Sequence, residues 1–281
     1  MMEVVREIMR EEIAAGLREL GLCAGDRVMV HSSLKSFGRV KDGAETVIFA
    51  LQDVLTEQGT LMMPSFNHTS LKGGTYDPRE TRTRNGIIPD TFWRIGEDGG
   101  VYRTLDPSHP IACWGKDAQR YTQFHHRTLT LGPDSPLGLL AREGGKGLML
   151  GVGYGPNTFH HVVETTLNAP CLGHRTEAYP LRLPDGQIVL ARTWGWRAEA
   201  CPVTDPVRYA PLMQPHERRG KIGQSEAILF SFADARTVIE NALRGSCHEC
   251  TIRPRVNKFV VESDWDEAKG CLKPDSVAWS Y

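Results

Sequence analysis

The stretch NTFHHVVE, residues 157–164, sets two histidines just ahead of a glutamate. Read as helix, His161 and Glu164 fall at i and i+3 on one face, while His160 points about a quarter turn away. A carboxylate beside an imidazole orients the ring and stabilises its cation, which is the arrangement of a general base. The dipole of a helix N-terminus opposes protonation there and keeps the ring able to accept a proton near neutral pH. The same residue types also serve in metal binding and in structural packing.

Other short stretches carry chemical potential. VHSSLKSFGRV, residues 30–40, reads as a strand end with His31, Ser32 and Ser33, followed by Gly38. Hydroxyls and loop N–H groups at a strand's carboxyl end can hold a pyrophosphate, or a serine can simply cap a turn. GVGYGPNT also lies between strand and helix, but Pro156 stands in place of the third glycine of a dinucleotide fingerprint, so Asn157 or Thr158 is read as a helix cap. In LDPSHPIACWG, His109 occupies a rigid turn at the entrance to a strand, where it lines a site or pins a loop. SCHEC places Cys247 and Cys250 at C-x-x-C spacing, which grips one Zn(II) or forms a redox pair. Two thiolates are half of a tetrahedral site, leaving Cys201, His174, His216 and His248 as candidates for the rest.

These residues must be held by elements that the apolar spacing predicts. Val5, Ile8, Met9, Ile13, Leu17 and Leu20 define an opening helix that Gly21 stops. RVMVHSS and TLMMPSF read as strands flanking a helix over 44–55. PDTFWRI, SPLGLLARE and NTFHHVVETTL read as helices, with ACWG and KGLMLGVG as strands. AYPLRL, PDG and QIVLART make a hairpin, and EAILFSFADARTVIENALRG one more strand and helix. The expected fold is a layered α/β architecture with a mainly parallel central sheet plus an antiparallel C-terminal hairpin extension. Residues 1–281 read as one domain, ending in a cysteine-containing tail from about residue 246.

Lys and Arg total 33 against 34 Asp and Glu, so no global field recruits nucleic acid or an anionic membrane. The absence of a long apolar stretch and an odd count of seven cysteines, five of them scattered, fit a cytoplasmic protein with reduced thiols. The sequence allows a homodimer without specifying one.

Taken in order, HSSLKSFG, GTLMMPSF, YDP, SPLG, KGLMLGVG and NTFHHVVE resemble the aminoglycoside 3-N-acetyltransferase family, over roughly residues 5–260. The resemblance implies an α/β fold distinct from the common GNAT enzymes and acetyl transfer from acetyl-coenzyme A to an amine in a ternary complex. It places Ser32, Ser33, Leu34 and Gly38 at the coenzyme A site, with His31 and Ser65 beside them. It makes His161 the catalytic base and Glu164 or Glu199 the carboxylate that orients it, leaving His160 to packing or support. Asp77, His109 and Asp205 are the expected substrate-facing residues, and similarity to the apramycin-acetylating branch implies structural zinc on Cys201, Cys247 and Cys250.

Two departures bear on the acceptor. Where family members often carry H-P-x-H, this chain has Asp106 and keeps only His109; Lys72 stands where relatives that bind polycationic aminoglycosides can be acidic. Local negative potential would come from Asp77, Glu80, Glu164, Glu199 and Asp205. Alternatives are acetylation of a small amine or aminophosphonate, a metal-dependent hydrolase built on Asp106, His109, His160, His161 and Glu164, and coenzyme A binding without catalysis.

Overall fold

The computed structural model describes residues 6–67, 74–167, 176–194 and 206–247, with the two-residue strands Trp265–Asp266 and Cys271–Leu272. The chain runs through α1 (Arg10–Leu20), β1 (Arg27–Ser32), α2 (Ala44–Leu55), β2 (Thr60–Pro64), α3 (Ile87–Arg94), β3 (Val101–Arg103) and β4 (Ile111–Gly115). It continues through α4 (Ala118–Thr122), α5 (Pro136–Arg142), β5 (Lys146–Leu150), α6 (Phe159–Thr166), β6 (Thr176–Arg182) and β7 (Ile188–Trp194). The last elements are α7 (Pro206–Met213), β8 (Glu217–Ile222), β9 (Ser225–Ser231) and α8 (Phe232–Cys247).

Alternation along the strands builds two apolar layers. Val28 and Val30 of β1, Leu61 and Met63 of β2, and Leu148 and Leu150 of β5 face a cluster closed by α1, α2 and α3. Met29, Met62 and Met149 face the opposite cluster, closed by α4, α5, α6 and α8. Side chains two apart share a face of a strand, so nearly continuous apolar runs are what a sheet covered on both sides requires.

The seven strands are ordered β3-β4-β2-β1-β5-β9-β8. β2, β1 and β5 are mutually parallel at the centre, and every outer strand joins antiparallel to its neighbour. Following the pairings outward, all strands but β4 and β9 run the same way. The layered α/β fold and the separate antiparallel hairpin β6–β7 match the expectation, with the parallel pairing concentrated in the middle.

The opening helix starts later than its apolar spacing predicts. Ile8 is held instead as backbone bridge to Val40, and Gly21, at φ 103°, ends the helix as expected. β8 escaped the sequence reading because ERRGKI carries no apolar alternation; as an edge strand it exposes its charges, which discourage pairing with another chain. The hairpin docks through Tyr76, which packs with Leu181, Val189 and Ala191 and donates its hydroxyl to the Thr104 carbonyl at 2.9 Å. Among the described residues no helix is long and apolar enough to cross a membrane.

Candidate active site

The central strands create a crevice by sending their chains apart. The segment leaving β1 crosses one face of the sheet into α2, whereas the segment leaving β5 crosses the other into α6. Ligands of open α/β sheets collect beyond the carboxyl ends of strands at such a divergence. Here Ser33 N–H joins the two segments by donating to the Leu150 carbonyl at 2.9 Å, and Gly151 N–H ties the β5 segment to β9 by donating to the Glu226 carbonyl at 2.7 Å. Ser36 Oγ donates to the Ser33 carbonyl at 2.6 Å and lies 2.9 Å from Ser225 Oγ. Gly151 has φ 67°, and a Cβ there would collide with Ser36 Oγ, so this crossing demands glycine.

Of the residues expected to line the loop, Ser32 and Ser65 sit at the carboxyl ends of adjacent strands, and their hydroxyls are buried without a hydrogen-bond partner among the described residues. Gly38, at φ 85°, lies against the side chain of Gln224. Leu34 opens a 3-10 turn, Leu34–Phe37, and packs against the α1–α2 cluster. His31 is engaged from the other side of the strand. By strand alternation it shares the face of Met29, and its Nε2 meets Thr158 Oγ1 at 3.1 Å, so the buried ring fastens the start of α6. The Thr158 hydroxyl is thereby used by β1, while Asn157 Oδ1 receives the Phe159 N–H at 3.2 Å.

Phe159, Val162 and Val163 anchor α6 in the second core cluster, each burial contributing about 1.5–3 kcal/mol. On this fixed helix His161 Nδ1 contacts Glu164 Oε2 at 2.6 Å, and the Glu164 side chain is 1% exposed against 19% for His161. The carboxylate is sunk and the imidazole reaches outward. His160 is buried with Nδ1 2.6 Å from the Asn157 carbonyl, which accepts its N–H. It lies closer to the pair than the quarter-turn expectation: its ring centroid is 3.6 Å from that of His161 with the planes tilted by 44°, and its Nε2 is 3.9 Å from Glu164 Oε2 through the i,i+4 relation.

His160, His161 and Glu164 offer three ligand-capable atoms within 4.8 Å of one another. His160 Nδ1 is engaged with the Asn157 carbonyl and His161 Nδ1 with Glu164, so in both rings the nitrogen nearest the backbone is already committed. Cys113 is buried in the sheet, and that burial pushes its thiol up, so it is inert.

His109 lies against Phe66 at 4.8 Å between ring centroids, beside the end of β2. Asp106 is buried and organises the turn carrying His109. Asp77 is paired with Arg182 of β6 at 3.0 Å and accepts the Arg79 N–H, so its charge is committed to fastening the hairpin. His216 ends a short exposed 3-10 turn. Lys72, His174, Glu199, Cys201, Asp205, His248 and Cys250 lie outside the described residues, as does the side chain of Cys247, the last residue of α8.

Buried histidines make the fold sensitive to acid. Burial lowers His31 from its ordinary 6.5 to about 4, and burial together with Arg127 does the same to His126. Between those values the unfolded chain binds protons that the folded one refuses, so stability present above pH 6.5 is lost on the way down to about 4, up to about 3 kcal/mol per group. Thermal unfolding followed from pH 7 to 4.5 should show a steep fall in Tm, made shallower by His31→Gln; an unchanged slope in that variant would assign the sensitivity elsewhere.

A family model described as aminoglycoside 3-N-acetyltransferase matches residues 29–244. The chain belongs to the aminoglycoside 3-N-acetyltransferase family. The match takes in the crevice loop, α6 and both core layers. Aminoglycoside N(3)-acetyltransferase VII of Streptomyces paromomycinus is 34% identical over 206 residues, covering 66% of this chain and 69% of that protein. The aminoglycoside N(3')-acetyltransferase-like protein YokD of Bacillus subtilis is 32% identical over 181 residues, covering 55% of this chain and 64% of its own length. The alignment with the Bacillus protein thus spans less than two thirds of that relative. Among solved structures, AAC-IIIb in binary complex with CoASH superposes with a TM-score of 0.76 at 25% identity, covering 85% of this chain and 97% of the other. A histidine-to-alanine variant of AAC(3)-IVa in complex with a gentamicin gives 0.73 at 27% identity, covering 88% and 91%.

Proposed function

We propose that this family member transfers the acetyl group of acetyl-coenzyme A to the 3-amino group of an aminoglycoside, with His161 as general base. The observation that carries the reading is the 2.6 Å contact between His161 Nδ1 and the buried carboxylate of Glu164, with the ring reaching outward from α6. An ionised carboxylate only accepts hydrogen bonds, so Nδ1 bears the proton and Nε2 the lone pair. An ammonium cannot attack a thioester. The ammonium first loses one proton to solvent; as the neutral nitrogen adds to the carbonyl carbon it gives a second proton to Nε2, and Glu164 stabilises the imidazolium that forms. The tetrahedral intermediate then collapses by breaking the C–S bond, and the imidazolium returns a proton to the departing thiolate. In this reading coenzyme A lies along the crevice between the β1 and β5 segments, where the buried hydroxyls of Ser32 and Ser65 would turn to it. The binary complex of a relative with CoASH and the gentamicin complex of another support both ligand classes. Structural zinc on Cys201, Cys247 and Cys250 remains part of the proposal, as a contribution to stability and not to acyl transfer.

The test follows free thiol released from acetyl-coenzyme A with gentamicin, sisomicin, apramycin and a set of small amines and aminophosphonates. We expect turnover with at least one aminoglycoside and a product acetylated at the 3-amino group by mass and NMR analysis. Thiol release confined to the small amines would reassign the protein to another acceptor class on the same catalytic frame.

A further inference from the structure

Thr158 stands at the N-cap of α6, where a threonine hydroxyl ordinarily accepts an N–H of the first helical turn, yet its side chain makes no such bond. Its Oγ1 lies instead 3.1 Å from His31 Nε2, a partner 127 positions away in sequence. The neighbouring Asn157 takes over the local task, its Oδ1 accepting the Phe159 N–H at 3.2 Å. Thr158 thereby joins two elements. Its hydroxyl meets the sheet, and its carbonyl accepts the His161 N–H at 3.1 Å.

The sheet end of this joint is rigid. His31 is paired with Met149 of β5, the strand that leads into α6, and β1 lies at the middle of the seven strands. The ring is buried on the face of Met29, in a layer where an apolar side chain would pack without needing a partner. Burial lowers it to about 4, so near neutral pH the contact with Thr158 is a hydrogen bond between uncharged groups. Phe159, 4.2 Å from Phe232 between ring centroids, holds α6 on the core together with Val162 and Val163. Those apolar contacts are non-directional, so they hold the helix down without fixing how far it slides or turns. The bond from His31 adds the missing direction, because a hydrogen bond weakens steeply with misalignment.

We propose that His31 is a positioning residue for acetyl transfer, which through Thr158 fixes the start of α6 and with it the point from which the His161 ring reaches the acceptor nitrogen. The assignment rests on the acyl-transfer reading and puts the effect of His31 in kcat, whereas a direct contact with coenzyme A would put it in the coenzyme KM. Steady-state kinetics with sisomicin and acetyl-coenzyme A should show His31→Ala lowering kcat by about ten- to a hundredfold, the scale of a 1 Å misplacement, with both KM values within about twofold of the parent. His31→Gln, whose amide nitrogen can stand near the position of Nε2, should recover most of that loss. Thr158→Val, which keeps the branched shape and removes the hydroxyl, should match His31→Ala, and Thr158→Ser should restore the rate. The double variant His31→Ala with Thr158→Val should fall no further than either single one, as for two ends of one contact.

The valine variant decides the matter even where His31→Ala folds poorly. Parental kcat in a folded Thr158→Val enzyme would reduce the contact to one of stability alone, and a loss confined to the acetyl-coenzyme A KM would make His31 a coenzyme residue; either overturns the assignment. Both outcomes are distinguishable from failure of the underlying reading, in which the wild-type enzyme itself acetylates no aminoglycoside.

Discussion

His161→Ala should lower turnover by about two to four orders of magnitude, the range for loss of a general base, while coenzyme A binding persists. The two readouts separate because the ring sits on α6, whereas the crevice contacts come from the β1 and β5 segments and their hydrogen bonds to Leu150 and Glu226. His161 is partly exposed at its outer edge, so truncation leaves the core contacts of Phe159, Val162 and Val163 in place. The decisive comparison is single-turnover acetyl transfer against coenzyme A affinity measured by calorimetry on the same preparation. Near-wild-type turnover would remove His161 from the mechanism; loss of both turnover and cofactor affinity would mean that the ring supports the site structurally.

Glu164→Gln should be nearly as damaging, by about two to four orders of magnitude, although it changes almost no volume. The carboxylate can only accept, and this is what keeps the His161 proton on Nδ1. A glutamine amide can turn its NH2 toward Nδ1, which forces the ring proton to Nε2 and leaves no lone pair for the proton of the incoming amine. His160 lies 3.9 Å from the same oxygen and does not replace it, since its own Nδ1 is engaged with Asn157. The signature is a large loss in kcat with Tm and coenzyme A affinity close to those of the parent. A variant retaining more than about a tenth of parental turnover would show that orientation of the ring does not depend on this carboxylate.

Much of this arrangement was legible before any coordinates. The apolar runs of β1, β2 and β5, flanked by amphipathic helices, are what a sheet covered on both faces requires, and the spacing of His161 and Glu164 gave their pairing directly. The role of His31 could have been found by parity: one strand position separates it from Val30, so it faces the α6 layer with Met29. What stayed hidden depends on partners distant in sequence. Asp106 reads as a lost histidine until Thr130 and the Ser108 turn close around it, and Asp77 reads as an available charge until Arg182 arrives from the hairpin. β8 stayed hidden because an edge strand guarded by charge lacks the apolar alternation by which strands are found.

The divergence of the chain around the central strands also sets a timetable. β1 pairs with β2, which follows closely, but its other edge waits for β5, and His31 meets Thr158 across 127 positions of sequence. At roughly 5–20 residues per second of synthesis, β1 spends on the order of ten seconds with one side unsatisfied before its partner leaves the ribosome. The crevice therefore comes into being late, after one apolar layer has begun to form and only when a distant segment closes it. A nascent chain halted before β5 would present a sticky half-sheet with no ligand edge, so the cell acquires this site all at once, when β5 and α6 emerge, and not by degrees.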